Sequence, residues 1–403
     1  MWSQVRSNQR GMMDNLDEDL EVQIDDGPLV WRLWKAALAG VPSKAGWESL
    51  IYTDADLAGK VSQEVGPFRL DRTGSGVGYP GHPLAPRLAV RINWHEPGRR
   101  PARSKTKIRR EGRRWLGLDA DAEIACLVSL ILGCRARSGG KVRRFSAKDL
   151  VGHPVYDKFV APDNPAPVFV RSIMPGLAGV KGGLAEIAEP MLLYPELSAY
   201  NATVLIRAAK HFAAALWVAD NDPEQAWIQL VSSLEAAAAT WRDEVSTPEA
   251  AFEEYFPEPT KIIKQSDCKN DILAAIASYF MPLIGASRRL EEFVIRFRPS
   301  PPSLRPPADG SGRLRQTDWS NLRPVVKAIY KHRSTFLHGG VPIPPALCMP
   351  PAMVDGIPEE WPLGTPLDTG GATWSEEELS INLHTFAYLT RGVLLNWWSY
   401  VAS

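Results

Sequence analysis

In the first part of the chain, apolar residues recur at every second position over short runs. Across residues 87–94, Leu88, Val90, Ile92 and Trp94 alternate with other residues, the period-two signature of a strand with one buried face. Residues 20–24, 143–145 and 168–173 give shorter extended signals interrupted by Gly and Pro, whereas residues 120–134 suit a buried helix. From about Pro195 the texture changes to Ala, Leu, Glu and Trp at helical spacing. One helix is predicted over residues 198–218. A second opens after Asp220-Asn221-Asp222 with Pro223 in its first turn, and its stripe is Trp227, Leu230, Val231, Leu234, Ala238 and Trp241. A third covers residues 271–297, where Pro282 and Gly285 are expected to bend or divide it. A fourth covers residues 318–338 and stops at Gly339-Gly340; a last one begins at Ser375-Glu376-Glu377-Glu378 and runs through Trp398. The Pro-, Ser- and Gly-rich residues 298–312 and the Pro-rich residues 342–366 read as loops. The fold class is therefore α+β: a mixed N-terminal domain over residues 1–190 and an all-α bundle over residues 191–403.

Composition narrows this picture without naming a function. Lys+Arg and Asp+Glu are both 46, so bulk charge gives no reason to expect a nucleic-acid partner. Cys126, Cys134, Cys268 and Cys348 show no C-x-x-C pairing and no histidine at ligand spacing, which points to a reduced chain with no metal and no cofactor. The longest apolar run, residues 124–132, falls far short of the roughly 20 residues a membrane helix needs. The first 16 residues mix Arg, Asn and Asp where a signal peptide would be apolar. A cytoplasmic protein without membrane contact is the expectation.

Chemistry concentrates at the end of the fourth helix, Tyr330-Lys331-His332-Arg333-Ser334-Thr335-Phe336-Leu337-His338-Gly339-Gly340. Leu322, Val326, Ile329 and Phe336 form an inward stripe, and Arg333 falls on it between Ile329 and Phe336. An unpaired buried guanidinium is too costly, so Arg333 calls for a carboxylate partner or a phosphate-sized anion. Glu235, on the second helix, is the carboxylate that would orient it. His338 lies about 140° further round an ideal helix, within the lean of a long arginine side chain. Lys331 and Ser334 share the His338 face and could touch an RNA backbone. His332 points away from His338, which places it in solvent or at a dimer interface. An imidazole that moves a proton near neutral pH and an arginine that stabilises a charging phosphate suffice for RNA cleavage without metal.

The helix resembles the R-x4-6-H signature of the HEPN superfamily. The form Tyr330-x-x-Arg333-Ser334-x-x-x-His338-Gly339 resembles its Apea-like branch, and residues 227–238, with Leu234-Glu235 near their end, resemble that branch's earlier helix. The resemblance covers residues from about 195 onward and leaves the N-terminal domain unexplained. It implies a helical bundle that forms a homodimer with two motifs facing a shared cleft, and an endoribonuclease that often serves in defence against phage by abortive infection. Arg333 and His338 are the catalytic pair it carries over. The N-terminal domain would then sense a trigger, with a phage-derived protein the leading candidate, and restrain the nuclease.

Blander readings stand beside these. Arg333 in a core ion pair and His338 capping the last carbonyls would make the helical domain a non-catalytic module that binds RNA, nucleotide or protein. The basic run at residues 99–114 and the cluster Arg135, Arg137, Lys141, Arg143 and Arg144 could grip phosphates, although such runs are usually solvated. Gly74-Ser75-Gly76-Val77-Gly78 is followed by Tyr79-Pro80 where a phosphate-binding helix should begin, so it reads as a turn. The acidic residues at positions 14–26 lack calcium-loop spacing.

Overall fold

The computed structural model describes residues 27–73, 84–95, 116–155, 168–177, 179–241, 248–265, 270–307, 316–362, 374 and 378–403. The extended signal at residues 20–24, the acidic stretch, the glycine-rich turn, the basic run at 99–114 and Cys268 lie outside them. The chain divides into two compact units. One comprises Met1–Val168, Gly176–Asn221 and Trp397–Ser403; the other comprises Phe169–Pro175 and Asp222–Asn396. Helices and a multistranded sheet are both present, so the chain is α+β.

The first unit is organised by a six-stranded antiparallel sheet. Its strands are β1 (Ser43–Thr53), β3 (Ser62–Val65), β4 (Phe68–Arg72), β5 (Ala85–His95), β6 (Ala136–Ser146) and β7 (Asp149–Pro154), in the order β3-β4-β5-β1-β6-β7. A short parallel pair joins β2 (Asp56–Ala58) to β8 (Lys181–Gly183). The alternation read at residues 87–94 has the expected consequence: Leu88, Val90 and Ile92 are buried, with Ile92 opposite Phe68 and Val90 opposite Leu70. The reverse face carries Arg69, Arg91, Glu48 and Arg143 in one cross-strand row. Helix α1 (Leu29–Leu38) lays Trp34 edge-on against Phe68, at 5.5 Å between ring centroids. Helix α2 (Ala120–Leu132) is buried almost all round, packed between β6 and α4 (Ala199–Val218), while α3 (Leu184–Leu192) packs on β3.

Two buried carboxylates pin this unit. Pro28, at the start of α1, has no side chain able to cap the helix, and Glu123 of α2 takes the first amides instead, accepting from Leu29 at 3.0 Å and Val30 at 2.8 Å. Burial nevertheless pushes Glu123 up to about 7. Asp54 accepts the Arg135 amide at 2.9 Å, and the Arg135 guanidinium bonds Asp220 at 2.5 Å. The second basic cluster is thus dispersed: Arg135 is buried in ion pairs, Arg137 lies over Trp217 and Lys141 over Trp47. Residues 168–173 form no strand, contrary to what their apolar content suggested, for among the described residues no strand pairs with them.

The second unit holds α5 (Pro223–Ala238), α6 (Pro248–Tyr255), α7 (Pro257–Gln265), α8 (Asn270–Arg296), α9 (Arg323–Gly339) and most of α10 (Leu383–Ala402). Asp222 caps α5 by accepting the Gln225 amide at 3.0 Å, with Pro223 in the first turn as the spacing predicts. Trp227 is fully buried and meets Phe386 of α10 at 5.0 Å. Helix α8 runs unbroken, so Pro282 and Gly285 do not divide it. The loop following α8 returns across α10, where Gly392 is required: a Cβ there would sit 2.5 Å from Pro299. Arg305 and Glu360 then make a two-pronged ion pair at 2.6 and 2.8 Å, and Glu360 also accepts the Thr317 amide.

Candidate active site at the end of helix α9

Helix α9 begins five residues later than the sequence suggests. Asp318 accepts from the Ser320 amide and hydroxyl at 2.9 and 2.5 Å, closing a turn, and Pro324 then occupies the first helical turn. Leu322, Val326 and Ile329 are buried as the stripe requires, while Phe336, its last member, is only half-buried. Arg323 anchors the helix start to Glu291 and to Glu292 of α8, the latter at 3.0 Å, and Lys327 approaches Glu291 at 4.0 Å.

Arg333 follows on the same stripe, its side chain 21 % exposed, and its Nη2 donates to Oε2 of Glu235 at 3.2 Å. Glu235 comes from α5 and is itself 27 % exposed, so the pair sits at the lip of the helical packing and not within the core. The Arg333 guanidinium also lies 5.8 Å from the ring centre of Tyr330, one turn earlier. Tyr330 is pushed above the usual phenol range by burial first and then by the Glu235 carboxylate, while Arg333 and Arg289 pull it the other way.

His338 is exposed in the last turn. It does not cap the helix: Gly340 adopts a left-handed conformation (φ +64°), and the amides of Gly340 and Val341 serve the carbonyls of Phe336 and Thr335, each at 3.2 Å. Lys331 is likewise exposed and Ser334 half-buried. The structure therefore brings Arg333 and Glu235 into contact and displays Lys331, two residues before Arg333, and His338, in the last turn, to solvent.

His332 requires a correction. It faces neither solvent nor an open interface: it is 8 % exposed, and its ring meets Trp227 edge-on at 6.2 Å. The helix face opposite His338 is covered by α5. Burial, with Lys331 adjacent, lowers His332 to about 4, and its Nε2 has no hydrogen-bond partner. Of the two histidines, only His338 is open to solvent.

Sequence reasoning included Tyr330 in the motif without giving it a role, and it did not bring Arg289 to this site. The Arg288-Arg289 pair preceding Glu291-Glu292 was the available signal. Among the described residues, no group of three or more His, Cys, Asp or Glu is placed to hold a metal ion, and no helix is long and apolar enough to cross a membrane. No protein-family model, curated protein or solved structure matches the chain.

Proposed function

We propose that the chain is a metal-independent endoribonuclease of HEPN type, with Arg333 and His338 as its catalytic pair. What carries this reading is one helix end on which an arginine is restrained by a carboxylate from a second helix while a histidine stands open to solvent. In the reaction His338 takes the proton of a ribose 2′-hydroxyl, whose oxygen attacks the adjacent phosphorus. Arg333 holds the non-bridging oxygens as their charge grows. The P–O5′ bond breaks, the departing oxygen receives a proton, and the products are a 2′,3′-cyclic phosphate and a 5′-hydroxyl. Glu235 positions the guanidinium and takes no proton. Lys331 and Ser334 flank the path of the strand. The working unit is a homodimer in the cytoplasm, the N-terminal region restrains cleavage, and a phage-derived protein releases it.

The test is cleavage of total RNA in the presence of a chelator by the wild-type protein and by Arg333→Ala and His338→Ala proteins of unchanged far-UV spectrum. Each substitution is expected to lower the rate by about 100-fold or more. Cleavage at the same rate by all three would refute the assignment. Full biological activity in the His338→Ala protein would show instead a module that binds RNA, nucleotide or protein without reacting.

A further inference from the structure

Helices α8 and α9 form an antiparallel pair. The first residue of α9, Arg323, is bonded to Glu291 and Glu292 near the end of α8, and the two helices pack on each other from there. Lys327 and Glu291 mark one level of this pair. Six residues onward, about 9 Å at the helical rise, α9 reaches Arg333, and six residues back α8 reaches Gly285. Arg289 of α8 donates its Nε to the Gly285 carbonyl at 2.7 Å. That bond draws its guanidinium along α8 to the level of Arg333.

The surroundings differ sharply between the two ends of the pair. At the start of α9, Arg323 and Lys327 are compensated by Glu291 and Glu292. At the other end Arg289 is exposed and has no carboxylate partner among the described residues. Glu235 is the carboxylate bonded to Arg333 there, and Lys331 lies exposed close by. Among the described residues, Arg289 and Arg333 against Glu235 leave a local excess of positive charge around Tyr330, on a protein whose formal net charge is zero.

We infer that Arg289 is a second phosphate-binding residue of this site, gripping the phosphodiester next to the one that Arg333 holds, so that the site takes a single polyribonucleotide strand across the α8–α9 seam. The identity of the strand rests on the ribonuclease reading; the two-arginine anion site does not. Its bond to Gly285 pre-orients the guanidinium, which lowers the ordering cost of gripping a phosphate. Arg289 is a binding residue and touches no reacting atom.

A fluorescent 2′-O-methyl oligoribonucleotide is the probe, because its blocked hydroxyl cannot attack and binding is read without cleavage. Its affinity is measured by anisotropy across a salt series for the full-length wild-type, Arg289→Ala, Arg289→Lys and Arg298→Ala proteins. Arg289→Ala is expected to weaken binding about tenfold and to reduce the salt slope by about 0.7, the share of one phosphate contact on a single strand. Arg289→Lys retains most of the slope, and Arg298→Ala, a substitution at an exposed residue after the end of α8, changes neither quantity. An Arg289→Ala protein with wild-type affinity and slope overturns the inference even if RNA is cleaved with His338 required. Loss of affinity in Arg289→Ala when the wild-type protein cleaves no RNA upholds the anion site and removes only the ribonuclease reading.

Discussion

His332→Phe tests whether the histidine beside Arg333 belongs to the packing and not to the chemistry. Phenylalanine keeps a ring against Trp227 and removes both the titrating group and the unpartnered Nε2. His332 is lowered from 6.5 to about 4, so the folded protein refuses a proton that the unfolded chain accepts. Above pH 6.5 neither state is protonated and the residue contributes nothing to the pH dependence. As pH falls towards 4 the unfolded state gains protons alone, and stability is lost with them. The whole shift is worth about 3 kcal/mol, of which somewhat under half is already expressed at pH 5.5. Urea unfolding followed by tryptophan fluorescence at pH 7.5, 6.5 and 5.5 gives the stability difference between the two proteins at each pH. His384, also buried and lowered to about 4, is common to both and cancels. The His332→Phe protein is expected to gain about 1 kcal/mol on the wild type between pH 7.5 and 5.5. A difference that stays constant with pH would show that the imidazole reaches water, and the packing argument would fail.

Glu235→Gln separates orientation from stability. The Glu235–Arg333 pair is partly exposed, so its loss costs only about 0.5–1 kcal/mol in urea unfolding, while on the proposed ribonuclease reading kcat for RNA falls about tenfold and KM does not rise because the guanidinium loses its competing carboxylate. Unchanged kcat would deny Glu235 a positioning role. Glu123→Gln addresses the first unit, with the opposite sign to His332. Glu123 is raised from 4.5 to about 7, so stability is complete at low pH and is lost as pH rises from 4.5 towards 7. Because glutamine does not titrate, the wild type should lose about 3 kcal/mol more than the variant between pH 4.5 and 7.5; parallel curves would show the carboxylate ionised in both states.

Elements were legible where side-chain period and burial agree. Strand β5 shows itself because Leu88, Val90 and Ile92 all face inward without interruption. Its neighbour β1 is as long and equally central, yet Gly46 and Ser49 occupy buried positions and the register shifts at Ile51, so no period-two pattern survives in its sequence. Helices α6 and α7 are introduced by Pro248 and Pro257, residues that interrupt a pattern unless they stand in a first turn. The pairing of Glu235 with Arg333 was legible because a charged residue on an apolar stripe must be answered, and the answer lies on the helix predicted to pack beside it. Arg289 was not, because which of many surface arginines converges on a site depends on the register of two helices separated by 26 residues of sequence, from Phe297 to Leu322.

The burial of His332 changes how the motif itself is to be understood. A helical wheel gives direction but not destination: His332 does point away from His338, yet that direction ends against Trp227 on α5. The same helix pairing that buries His332 brings Glu235 within 3.2 Å of Arg333, so the two are consequences of one docking. Loosening the seam at His332 should therefore release Arg333 as well, and it would do so without touching the exposed imidazole of His338. In the proposed ribonuclease, acid inactivation of cleavage would then have an origin in the docking itself: protonation of His332 acts through the positioning of Arg333, and it disappears in the His332→Phe protein. A cleavage profile whose acid limb is identical in the two proteins, down to the pH where each unfolds, would show that the docking of α9 on α5 does not control the arginine.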